Sequence, residues 1–161
     1  DRARELLDHA LESDPSHGPV WTAYGLLEAR HGTLARARQN FLTGISRSPH
    51  HAPLYRTYGQ AEARSGNYAR ARELFSEGLR RDPRHAPLYH AFAEFEAMLG
   101  NVEGLAALKA SAEKYFGSED DATRVIRNGE ESIGAAVADV AEDSFEYTSK
   151  STPMELALDN V

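Results

Sequence analysis

The chain has 161 residues, 41% of them hydrophobic, no cysteine and a formal net charge of −7. Without cysteine there are no disulfides, thiolate metal centres or cysteine nucleophiles, and no apolar run reaches membrane-spanning length. Charge is unevenly placed: residues 1–116 carry 15 basic and 14 acidic side chains, whereas residues 117–161 carry 3 and 11, net −8. Residues 29–90 hold 11 arginines, 4 acids and no lysine, and guanidinium forks suit phosphate or carboxylate recognition.

In chain order, the opening Asp1-Arg2-Ala3-Arg4 stands in the middle of a helical pattern, and no secretory or transit segment is visible in the sequence. Residues 2–13 read as a single helix with an apolar face at Leu6, Leu7 and Leu11. That face is expected to be covered by upstream repeats of a longer chain or by a partner. A helix near 19–31 follows, then a turn at Gly32 and a helix near 34–47. Pro49 and Pro53 frame the next start, since proline costs nothing in a first helical turn. The run Leu54, Tyr55, Tyr58, Ala61 has helical spacing, Gly66 stops it, and Ala71, Leu74, Phe75, Gly78 and Leu79 mark its partner. Helices near 87–99 and 102–116 complete the series. Beyond Gly117 the pattern stops. Ser118 is placed to cap a short helix over residues 119–127, a second weak helix spans about 131–142, and an acidic tail runs on to Met154, Leu156 and Leu158. Such a tail solvates, docks on a partner, or folds over the arginines as a mimic of nucleic acid.

These elements repeat every thirty-four residues. Pro15, Pro49 and Pro83 fall in register, as do Trp21, Tyr55 and Tyr89, then Glu28, Glu62 and Glu96, then Gly32, Gly66 and Gly100. A period of that length marks one supersecondary unit that must stack on its neighbours to bury its apolar face. The expectation is an all-α, right-handed α-solenoid of antiparallel helix pairs over residues 1–117. It has a half repeat at 2–15, repeats at about 18–49, 52–83 and 86–117, and an acidic tail over 118–161. The third repeat departs from the pattern: Lys109 stands where Phe41 and Phe75 stood, Ala106 where Arg38 and Arg72 stood, and Met98 where Arg30 and Arg64 stood.

Trp21 with Gly25, Ala37 with Phe41, and then Pro49 resemble the tetratricopeptide class. The aromatic pairs Trp21/Tyr24, Tyr55/Tyr58 and Tyr89/Phe92, each followed by a glutamate, and the Ala-Arg openings of the second helices resemble its half-a-TPR (HAT) variant. That resemblance implies a non-catalytic module in RNA processing or organellar transcript stabilisation, binding single-stranded RNA directly or holding protein partners in a larger assembly. It also implies a nuclear or plastid home. The alternative from another class is a protein–protein scaffold without RNA contact. Chaperone-type grooves of this class clamp carboxylates with lysine and asparagine. The matching positions here, Thr22, Leu26, Gln60, His90 and Glu94, fit that clamp poorly.

First helices line the inner face of such a stack, which makes Arg30, Arg56, Gln60, Arg64 and His90 the candidate groove for RNA or a partner, with Arg38 and Arg72 behind them. The recurrent glutamates read mainly as packing residues that pair with arginines between repeats, and the aromatics as core. His17, His51 and His85 recur one per repeat before each first helix and read as turn residues rather than metal ligands. No catalytic set, phosphate loop or cofactor motif stands out, so neither an enzyme nor a cofactor is expected.

Overall fold

The computed structural model describes residues 2–118 and 120–126, and every regular element among them is helical. The elements are α1 (Arg2–Ser13), α2 (Gly18–His31), α3 (Leu34–Arg47), α4 (Ala52–Arg64), α5 (Tyr68–Arg81), α6 (Ala86–Met98) and α7 (Val102–Phe116), followed by a helical turn over residues 120–126. The second weak helix expected near 131–142 and the acidic tail lie outside the described residues. No helix among those described is long and apolar enough to cross a membrane.

Three helix pairs, α2/α3, α4/α5 and α6/α7, stack in chain order. The first helices pack on one another, α2 on α4 and α4 on α6. Each second helix packs on the first helix of the following pair: α1 on α2, α3 on α4 and α5 on α6. This is an all-α solenoid of helix pairs.

The repeated residues explain the repeated geometry. A Cβ at Gly59 would lie 2.7 Å from the Phe75 ring, and one at Gly25 would meet the Phe41 ring. Glycine on each first helix therefore makes room for a phenylalanine from the second. In the third pair both frame positions change together, to Ala93 and Lys109. Gly66 and Gly100 end their helices with φ of +78° and +66°, a left-handed backbone that disfavours a Cβ. The tyrosine and tryptophan register serves as a tie: Trp21 Nε1 donates to the Pro15 carbonyl and Tyr55 Oη to the Pro49 carbonyl, both at 2.9 Å. Tyr89 instead pairs with Ser111 Oγ at 3.0 Å.

The core is made of those aromatics. Phe41 stacks on Tyr58 at 5.0 Å between centroids, and Phe75 on Phe92 at 5.3 Å. At the C-terminal end Ser118 Oγ accepts from the Asp121 N–H at 3.0 Å. Ala122 is fully buried, packed against the apolar cluster that includes Leu108 and Ala112.

Candidate partner-binding groove

The recurrent glutamates decide which arginines are available to a ligand. Glu28, Glu62 and Glu96 are buried in the seams between successive pairs. Each accepts a two-pronged contact from the second helix of the unit before it. Arg4 Nε reaches Glu28 at 2.6 Å, Arg38 Nε reaches Glu62 at 2.6 Å, and Arg72 Nε reaches Glu96 at 2.6 Å. Their terminal nitrogens meet the second carboxylate oxygen at 3.4, 2.7 and 2.8 Å. Asn67 and Asn101 add a donor each at 2.8 Å to Glu62 and Glu96. The arginine hydrogen bonds outweigh burial and hold all three carboxyls below the ordinary carboxylate range. Arg38 and Arg72, placed by sequence behind the groove, thus have their forks turned into the seams. Arg70 pairs with Glu73 at 2.8 Å and lies 5.9 Å over the Tyr58 ring, while Arg80 and Arg81 both pair with Glu77.

Arg30, Arg56 and Arg64 take no part in an ion pair among the described residues. They converge on one cavity of about 340 Å³ between α2 and α4. Arg30 approaches from the last turn of α2; Arg56, Gln60 and Arg64 rise from successive turns of α4, at helical spacing that puts them on one face. Leu26, Ala29, Leu34 and Ala61 supply apolar walls. Leu34 belongs to the first turn of α3, an element that a reading restricted to first helices passes over.

Arg56 is the unusual member. Its Nε is buried and has no hydrogen-bond partner, although a buried donor without one is costly. Two other buried side-chain atoms share that state among the described residues: Nδ1 of His85 and Nδ1 of His90. Burial pushes His85 below the ordinary imidazole value; nearby Asp82 opposes this and the Arg56 charge adds to it. His90 sits one repeat beyond Arg56 and outside the cavity, with Nε2 3.8 Å from Glu94 Oε1. Four predicted groove residues, Arg30, Arg56, Gln60 and Arg64, therefore share one cavity. His90 belongs to the adjoining interval.

The histidines that precede each first helix form a column. The His51 ring packs where a Cβ of Gly18 would be, and burial with the charges of His85 and His17 lowers its pKa. Only His17 caps its helix with the side chain, accepting from the Val20 N–H at 3.3 Å. Among the described residues no three His, Asp or Glu side chains are placed to share a metal ion.

No curated protein matches the chain. Two tetratricopeptide repeat family models do, one over residues 1–52 and one over residues 52–95, so together they run through more than half of the sequence. With the helix pairs, their thirty-four-residue frame and their glycine–aromatic packing, this means that the chain belongs to the tetratricopeptide repeat family.

Proposed function

We propose that the chain is a non-catalytic binding module whose α2/α4 groove takes an extended acidic segment of a protein partner. Tetratricopeptide repeats serve as protein–protein interaction modules, and the groove has the chemistry such a segment needs. The observation that carries the reading is that Arg30, Arg56 and Arg64, none of them in an ion pair among the described residues, line one cavity. A ligand carboxylate in the cavity gains charge-assisted hydrogen bonds from the guanidinium groups that line it. The apolar walls then favour a peptide backbone with small side chains.

Single-stranded RNA, the ligand implied by the HAT-type resemblance, is the competing occupant because phosphate suits the same arginines. Sequence-tolerant RNA grooves stack bases on aromatic rings. Here Tyr55, Tyr58, Tyr89 and Phe92 are buried in the core, and no aromatic residue lines the cavity. That favours a protein segment. Membership of an RNA-processing assembly is compatible with the same groove, which would then grip an acidic subunit.

The test is fluorescence anisotropy on the full chain, with a glutamate-rich peptide and a single-stranded RNA oligonucleotide measured side by side across a salt series. The peptide is expected to bind, more weakly as salt rises. Replacing Arg30, Arg56 and Arg64 together with glutamine should weaken it by roughly 30-fold, about 2 kcal/mol. RNA binding without peptide binding, with a steep salt slope of about 0.7 per neutralised phosphate, would overturn the protein reading. Binding of neither at low salt would sink the groove altogether.

A further inference from the structure

The frame that builds the groove also marks where its chemistry changes. Arg30 and Arg64 hold one position of the repeat, and both line the cavity. The same position one unit on is Met98, 58% exposed at the end of α6. Leu34 lines the cavity from the first residue of α3. Its counterparts, Tyr68 and Val102, begin α5 and α7 and are 44% and 75% exposed. Only the turn Leu99–Asn101 separates Met98 from Val102, closed by the Val102 N–H donating to the Gly100 carbonyl at 3.1 Å. Tyr68 leans on Phe95, 6.2 Å between ring centroids, one turn before Met98.

The cationic interval is thus followed by an apolar ledge. Of the five large hydrophobic side chains most exposed among the described residues, Tyr68, Met98 and Val102 are three, and each stands at a frame position whose counterpart lines the cavity. The Gln60 position becomes Glu94, whose carboxylate stands beside His90. A ligand acid that fits against Gln60 would be repelled by Glu94 one repeat later.

We infer that the groove reads a bipartite segment: acidic residues against Arg30, Arg56 and Arg64, then an apolar side chain that covers Met98 and Val102. This rests on the reading of the groove as a site for an acidic protein segment, and it adds the second half of the ligand. Packed helices lie about 8–10 Å apart, so about three extended residues separate the acids from the apolar anchor. Charge supplies attraction to the first interval, Glu94 forbids the acidic stretch from continuing, and the ledge fixes the register.

The experiment uses the full chain and four synthetic peptides: a glutamate block alone, the block joined by a three-residue Gly-Ser spacer to a leucine pair in either order, and a continuous glutamate stretch of equal length. One of the two leucine peptides is expected to bind about five- to tenfold more tightly than the block alone, and the margin should persist at high salt while the acidic component fades. Met98→Ser with Val102→Ser, both at exposed positions, should erase that margin and leave the glutamate block unchanged. Glu94→Gln should improve only the continuous acidic stretch. If every peptide binds but neither leucine order exceeds the block, or if the serine pair leaves the margin intact, the bipartite reading is overturned while the acidic groove stands. If no peptide binds the unaltered protein, the underlying reading fails and this one with it.

Discussion

Glu62 is completely buried and still ionised, because Arg38 donates two hydrogen bonds to it and Asn67 a third. A buried charge of this kind is costly to strand. Arg72→Met should therefore destabilise the protein by about 2 kcal/mol through the abandoned Glu96 carboxylate. The loss falls short of that for a wholly buried pair, since Arg72 is 42% exposed and Asn101 still donates. Adding Glu96→Gln should recover part of that loss, which urea unfolding of the single and double variants would measure. The same residues set the response to acid. Glu28, Glu62 and Glu96 are held below their ordinary 4.5, and His51 and His85 below their ordinary 6.5. In every case the unfolded chain takes up the proton first. Stability is fully present above pH 6.5, declines below it as the unfolded histidines charge, and falls again below pH 4.5 as the unfolded glutamates protonate. Urea midpoints between about pH 8 and pH 3 should show this two-stage decline (about 25 °C, low salt), and His51→Gln should flatten the upper stage.

At the level of the helix pair, a glycine faces a phenylalanine because nothing larger fits. Gly59→Ala sets a methyl against the Phe75 ring and should cost about 1–3 kcal/mol by overpacking, visible as a lower melting temperature. The third unit carries Ala93 at the same frame position, and there the second-helix position is Lys109 rather than phenylalanine. These pairings explain why so much of the fold was legible. The boundaries of α1, α3 and α7 follow from apolar spacing and turn residues alone, because a residue that recurs at an identical place in each unit is there to build the unit. The site was legible less evenly. Arg30, Arg56, Gln60 and Arg64 could be read as a shared face from helical spacing, and they do share a cavity. That the glutamates pair with arginines between repeats could be read as well, but not that Arg38 and Arg72 are the partners, because a side chain's choice between a ligand and a buried carboxylate depends on a seam formed by residues twenty-four positions away. Leu34 was invisible for a related reason: it enters the groove from the start of a second helix. The histidine column is likewise an outcome of stacking, in which residues one period apart come close enough to sense one another's charge.

Among the described residues, the two-pronged arginine–glutamate ties each join one unit to its immediate neighbour. Arg4–Glu28, Arg38–Glu62 and Arg72–Glu96 are successive rungs, and at the next position Ala106 offers no guanidinium. Burial follows the same gradient: α4 and α6 bury most of their inner faces, α7 buries only Leu108 and Ala112, and α1 buries no residue completely. A stack held by nearest-neighbour terms opens from its weakest end inward. Amide hydrogen exchange on the full chain should therefore run fastest in α1 and α7 and slowest in α4, with α6 between. The ledge at Met98 and Val102 sits where α6 meets α7, on the less tightly held side of that gradient. A ligand that closes over it would slow exchange in α7 far more than in α4. A ligand seated on the ledge would thus act as a clasp on α7, the less buried member of its helix pair.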